Sequence, residues 1–147
     1  MAKAEKTKCA IILPVDAVVG WHFAADTPNQ TYGVDAVPSD GRILDAGSLS
    51  TDLIGSAIDD AATLVWNGPL GAFELHPFDA ATVMTAKHVA RRTKEGKLFS
   101  VGGGVDTVAA LNHAGVADDF TYISTAGGAF LEWMEGKPLP GVDVLKK

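Results

Sequence analysis

Thr63-Leu64-Val65-Trp66 is a short strand-like run, and Asn67-Gly68-Pro69 stops it with a turn signal. The same sequence of events recurs twice downstream. Lys97–Val101 (KLFSV) is closed by Gly102-Gly103-Gly104, and Phe120–Ile123 is closed by Ser124-Thr125-Ala126-Gly127-Gly128. A helical stretch follows each turn, over residues 78–95, 106–114 and 128–135. Pro77 suits the first turn of the longest helix, Gly96 a position just past its end, and Gly115 the end of the next helix. Strand, glycine-rich turn and helix in repeated order predict an α/β fold. The expected architecture is a Rossmann-like parallel sheet with helices on both faces and right-handed crossovers.

Upstream of this block the pattern is less regular. Ala10–Val15 (AIILPV) reads as a buried strand. Residues 24–42 are rich in Asp, Pro, Asn and Gly and read as a loop with one short strand near Gly33–Val37. Leu49, Leu53, Ile54, Ala57 and Ile58 mark one face of a helix over 49–60, with Ser50 as its expected N-cap. Trp66 and Trp133 are expected in the core. His22, His76, His88 and His113 show no metal-ligand spacing and read as surface or packing residues.

Composition narrows the function. The chain has 147 residues, the size of one domain, and residues 1–147 are expected to form a single one. Apolar residues are 47% and charged residues 20%, enough for a core and unlike a disordered tail. A net charge of −6 and a pI near 5.0 argue against a nucleic-acid or membrane-surface partner. The single cysteine, Cys9, leaves no internal disulfide; it reads as a small buried hydrophobe in a cytoplasmic protein. Residues 1–8 lack the apolar segment of a signal peptide, and no apolar run approaches a membrane span.

The three glycine-rich turns are where chemistry is expected. In open α/β sheets ligands bind outside the carboxyl ends of the strands. Glycine lets the backbone approach a ligand closely, and a helix N-terminus offers N–H groups and partial positive charge. Together they hold an anion without Lys or Arg, as an acidic phosphate-binding protein requires. Asp106 reads either as a first-turn acid or as a carboxylate for Mg²⁺ on nucleotide phosphates. Glu74 reads either as a solvated loop acid or as an acceptor for ribose hydroxyls.

Val65-Trp66-Asn67-Gly68-Pro69-Leu70-Gly71-Ala72-Phe73-Glu74 resembles the VWNGPxGxFE segment of phosphoglycerate kinases. Ser124-Thr125-Ala126-Gly127-Gly128-Ala129, with Leu131-Glu132 and Glu135 to Val142, is similar to that family's closing STGGGA and LEGKxLPGV segments. Leu13-Pro14-Val15-Asp16 resembles its LPVD segment. The resemblance implies the C-terminal segment of a nucleotide-binding domain. The family moves a phosphoryl group reversibly between 1,3-bisphosphoglycerate and ADP in glycolysis.

By resemblance, Asn67, Gly68, Pro69 and Glu74 would contact nucleotide phosphates and ribose, Asp106 would hold Mg²⁺, and Thr107 a phosphate. Gly103 and Gly104 would offer N–H groups to the transferring phosphoryl. Thr125, Gly127 and Gly128 would form a phosphate-facing loop. The implied ligands are ATP or ADP with Mg²⁺, and phosphoglycerate only together with an N-terminal domain that has no counterpart here. The family's lysine-bearing GGAKV loop also has none, so this chain alone is expected to be inactive.

The chain departs from the family pattern at several positions. Val105 separates the glycine run from Asp106, and Ala126 replaces the first glycine of STGGGA. Leu44-Asp45-Ala46-Gly47-Ser48-Leu49-Ser50 lacks the proline and lysine of the family's LDxGPKS stretch. A β-branched residue tolerates φ > 0 poorly, so a left-handed requirement at Val105 would reshape that loop. Two other classes stay open: a Rossmann-type dinucleotide module, although the GxGxxG spacing is not met, and a folded chain without ligand. A partial doubly wound sheet is also expected to expose apolar surface and self-associate.

Overall fold

The computed structural model describes residues 1–145. The last two residues of the expected domain lie outside the described residues. The chain divides into two compact units. One comprises Met1–Asp60 and Leu70–Thr85; the other comprises Ala61–Pro69 and the residues from Ala86 onward.

The second unit carries the sheet read from the sequence. Strands β4 (Thr63–Asn67), β5 (Phe99–Gly103) and β6 (Tyr122–Ser124) pair in parallel in the order β4-β5-β6. Helices α4 (Val105–His113) and α5 (Gly127–Met134) flank it. Helix α3 (Ala80–Lys94), which belongs to this unit from Ala86 onward, precedes β5 and is followed by Gly96, whose φ of 69° is the left-handed closing conformation expected there. Gly115 closes α4 in the same way at φ 71°. Trp66 is buried and meets Phe120 edge-on, with ring centroids 6.2 Å apart. Leu98, Leu111, Val89 and Val116 complete the apolar centre. Ser100, fully buried on β5, is satisfied by Thr93 and Thr121.

The first unit departs further from expectation. It holds an antiparallel sheet, β2-β1-β3, formed by β1 (Asp16–Gly20), β2 (Asn29–Gly33) and β3 (Arg42–Ala46). The strand expected at 10–15 is absent: Ile11, Ile12, Leu13 and Val15 are exposed and irregular, and β1 begins only at Asp16. Apolar composition creates a tendency to be buried, but a strand forms only where a neighbour takes its N–H and C=O groups. Cys9 is likewise exposed, not buried. The strand expected near Gly33–Val37 ends at Gly33, and Val34–Ala36 make a 3₁₀ turn.

Helix α2 (Ser48–Asp60) forms as read, but Ser50 is its third residue and not its cap. The capping atoms come from β1: Asp16 accepts the Leu49 and Ser50 N–H groups at 3.1 and 2.8 Å. Ile58 is buried, whereas Leu49 and Leu53 on the expected apolar face are exposed. Helix α1 (Ala2–Thr7) and the short α6 (Pro140–Asp143) bury no residue. Trp133, expected in the core, is 62% exposed and stacks on Phe130. Among the described residues no helix is long and apolar enough to cross a membrane, and none of the four histidines joins a metal-ligating cluster of three or more.

Candidate functional site

Parallel pairing places the carboxyl ends of three strands at one edge of the second unit. Asn67 ends β4 level with Gly103 on β5, and Gly103 is level with Ser124 on β6. The three loops singled out from the sequence therefore leave the sheet at the same height, where α/β sheets hold ligands.

Gly104 makes the turn from β5 into α4 at φ 104°, ψ 151°, a region essentially restricted to glycine. Val105 is the first residue of α4, so the left-handed requirement falls on the glycine before it. Helical backbone suits a β-branched side chain well enough, and Val105 stands 69% exposed. Ala126 has φ −85°, an ordinary value for a residue with a Cβ. Gly127 is held differently: a Cβ there would stand 2.6 Å from the Gly104 Cα and 2.8 Å from its nitrogen. The β5–α4 and β6–α5 turns thus pack backbone against backbone.

Neither α4 nor α5 has a side-chain cap. The first intrahelical bonds run from Val108 to the Gly104 carbonyl and from Phe130 to the Ala126 carbonyl. The N–H groups of Val105, Asp106 and Thr107, and of Gly127, Gly128 and Ala129, stand ahead of those bonds. Two uncapped helix N-termini therefore meet at the Gly104–Gly127 contact. Each adds partial positive charge to one small region of an acidic chain.

The donor assignment made from sequence changes in one respect. The Gly104 N–H donates to the Ser124 carbonyl at 3.0 Å, which ties β5 to β6 just beyond the last ladder pair. In this conformation it is not offered outward, and the outward donors begin at Val105. Gly103 is a buried strand residue.

Thr107 is 1% exposed, and its Oγ1 accepts the Gly68 N–H at 2.7 Å. This bond pins the turn after β4 to the first turn of α4, while the hydroxyl hydrogen keeps its own donor capacity. The Gly68 carbonyl accepts from Trp66 Nε1 at 2.6 Å. Gly68 itself turns at φ 87°. Asn67 is exposed, and its Oδ1 lies 3.6 Å from the point where a Gly104 Cβ would stand. Asp106 is exposed in the first turn of α4, and its side chain makes no hydrogen bond or ion pair among the described residues. Thr125 and Gly128 are exposed, and Pro69 is half-buried.

The structure thus brings Asn67, Gly68, Gly103, Gly104, Asp106, Thr107 and Gly127 together in one unit. Glu74 belongs to the other unit, where it is exposed on the loop before α3.

Two buried acids of that first unit escaped sequence reading. Asp16 is buried beneath the start of α2, where Ser50 Oγ also donates to its Oδ1 at 2.6 Å. Burial works to raise this carboxyl, but the bonds from Ser50 and Leu49 outweigh it and hold it below the usual value. Asp45 is 2% exposed and accepts the Ala46 and Ala81 N–H groups, both at 2.9 Å. Burial pushes its carboxyl up to about 6. Each caps a helix more than 30 residues away, and local spacing carries no signal for that.

Comparison with known proteins places these features in a family. Residues 1–137 match the family model described as phosphoglycerate kinase. The chain is 89% identical over 147 residues to the phosphoglycerate kinase of Brucella abortus, covering all of this chain and 37% of that protein. It is 73% identical over 144 residues to that of Rhodopseudomonas palustris, covering 98% of this chain and 36% of the relative. Among solved structures it is similar to phosphoglycerate kinase from Coxiella burnetii. That match has a TM-score of 0.88 at 39% identity, over 98% of this chain and 36% of that one. The enzyme from Pyrococcus horikoshii matches with a TM-score of 0.78 at 27% identity, over 97% of this chain and 34% of that one. The chain spans little more than a third of the length of the relatives it matches.

Proposed function

The chain belongs to the phosphoglycerate kinase family, and from that premise we propose that its second unit forms a nucleotide-phosphate wall serving reversible phosphoryl transfer between 1,3-bisphosphoglycerate and ADP. The observation that carries this reading is the meeting of two uncapped helix N-termini at Gly104 and Gly127. Phosphoryl transfer depends chiefly on positioning and on neutralising phosphate charge, and such N–H groups supply both. In this reading Asn67, Gly68 and Pro69 border the phosphates, with Thr107 beneath them. Gly103 and Gly104 shape the turn, and Thr125, Gly127 and Gly128 face the phosphate end. For Glu74, in the first unit, a ribose contact rests on the family resemblance alone.

The residues present also fit Mg²⁺. Magnesium keeps several waters and takes only one or two carboxylates alongside substrate phosphates. Asp106, exposed beside the donors, is suited to hold such a partly hydrated ion. The ion would supply neutralisation of phosphate charge. Residues 1–147 read as the C-terminal segment of one nucleotide-binding domain in a cytoplasmic glycolytic enzyme. Phosphoglycerate would be bound by a further domain, and this chain alone would not turn over. Catalysis needs donor and acceptor aligned out of water, and the chain spans 37% of its Brucella abortus relative.

Calorimetric titration with MgADP and, separately, with NAD tests the reading. Saturable MgADP binding without NAD binding is expected. Preference for NAD would favour a dinucleotide module, and no binding of either at millimolar concentration would favour a folded chain without ligand. ATP formation from MgADP and 1,3-bisphosphoglycerate by the chain alone would overturn its proposed dependence on further residues. The exposed Ile11, Ile12, Leu13, Ile43, Leu49 and Leu53 also support self-association. A sedimentation coefficient that rises with concentration is expected, and a constant monomer would refute it.

A further inference from the structure

Asp45 is a buried titratable group that the proposed nucleotide contacts do not use, yet several backbone segments converge on it. Its Oδ2 accepts the Ala81 N–H in the first turn of α3, and its Oδ1 accepts the Ala46 N–H at the end of its own strand. Gly71 has no room for a side chain at this point. A Cβ there would stand 2.2 Å from Asp45 Oδ1 and 2.7 Å from the Phe78 carbonyl oxygen. The neighbouring bonds reinforce the junction. The Ala72 N–H donates to the Leu44 carbonyl at 2.7 Å, and the Leu70 N–H donates to the buried Thr82 hydroxyl at 3.0 Å. We propose that Asp45 is a positioning residue for the Leu70–Phe78 segment, fastening it and the start of α3 to β3 through one buried carboxyl group whose protonation the segment senses.

The inference extends the nucleotide reading, because Glu74 lies three residues beyond Gly71 on the segment that Asp45 fastens. A carboxylate accepts both N–H groups at once. A protonated carboxyl carries a hydrogen on one oxygen and accepts more weakly there, so one of the two N–H bonds is altered when the group titrates. Charged neighbours on the packed elements are Asp16 on β1, Glu74 and His76 on the segment, and Asp79 before α3. Asp16 is engaged by Ser50, and His76 by Asp26. Asp79 acts on the Asp45 carboxyl, reinforcing the effect of burial, while the Ala81 and Ala46 bonds oppose it. The titration therefore falls near pH 6 and inside the range of ordinary buffers.

The test is an amide ¹⁵N–¹H titration of the whole chain between pH 4.5 and 7.5, on wild type and Asp45→Asn. The Ala46, Gly71 and Ala81 signals are expected to share one midpoint near 6 in wild type and to lose it in the variant. Asparagine cannot accept at both atoms, because its nitrogen faces one of the N–H groups. Flat Gly71 and Ala81 signals in wild type would overturn the proposal, even if the variant fails to fold. So would a midpoint that survives in a folded Asp45→Asn. Where wild type binds MgADP, the variant is expected to bind about tenfold more weakly at pH 7.5, the equivalent of one misplaced hydrogen bond. A shared midpoint without MgADP binding would sustain the positioning role and count against the nucleotide reading.

Discussion

Gly127 leaves no space for a side chain beside Gly104: a Cβ on Gly127 would lie 2.6 Å from the Gly104 Cα, inside van der Waals contact. The obstacle is backbone, which cannot rotate aside as a side chain can. Gly127→Ala is therefore expected to destabilise the chain by about 1–3 kcal/mol, the usual cost of overpacking, and to weaken MgADP binding. Gly128 has nothing within 4 Å of its would-be Cβ, and Gly128→Ala provides the matched control with stability unchanged or slightly raised. Urea denaturation of both variants would separate close approach from general sensitivity of the loop.

Thr107 joins two turns by accepting the Gly68 N–H at 2.7 Å. Thr107→Val keeps the shape and removes the acceptor. A loss of about 1–2 kcal/mol is expected, with faster hydrogen exchange at the Gly68 amide. Unchanged exchange at Gly68 would show that the bond does not hold the turn.

Asp16 and Ser50 form a buried pair at the start of α2. The Asp16 carboxyl is depressed in the folded chain, so its contribution is present above the usual carboxylate value and is lost as pH falls through the folded one. Ser50→Ala removes the hydroxyl that donates to Asp16 Oδ1 and accepts the Val15 and Asp16 N–H groups. It is expected to cost about 1–3 kcal/mol at pH 7 and to flatten the stability profile below pH 4, read by thermal melts across pH.

Asp45 acts with the opposite sign. Its folded value, about 6, lies above the unfolded one. Its contribution is complete below the unfolded value and is lost as pH rises through about 6. Stability of wild type is expected to carry a negative slope from this residue between pH 4 and 6. Asp45→Asn removes that component, so the difference between the two profiles measures it. Parallel profiles would show that Asp45 titrates alike in the folded and unfolded chain.

The parallel sheet was legible because each part has a local cause. Val65 and Trp66 favour extended backbone, Gly68 and Gly104 permit positive φ, and Gly96 and Gly115 close helices. The antiparallel sheet was hidden because its strands have weak local signals. β2 reads Asn-Gln-Thr-Tyr-Gly, mostly exposed and polar, and is a strand only because β1 lies beside it. Ile11–Leu13 carries the stronger apolar signal and forms no strand among the described residues.

The candidate site divides along the same line. The sequence by itself determined the family, the three glycine-rich turns and the residue types suited to phosphate, because those depend on identity and spacing along the chain. Tertiary structure alone decided that Gly104 spends its N–H on Ser124, that Thr107 supports Gly68, and that Gly127 packs on Gly104. It alone decided that Asp16 and Asp45 cap helices begun far along the chain. A hydrogen bond needs its partners within about 3 Å in space, and that proximity is set by how strands pair and helices pack, not by the order of residues.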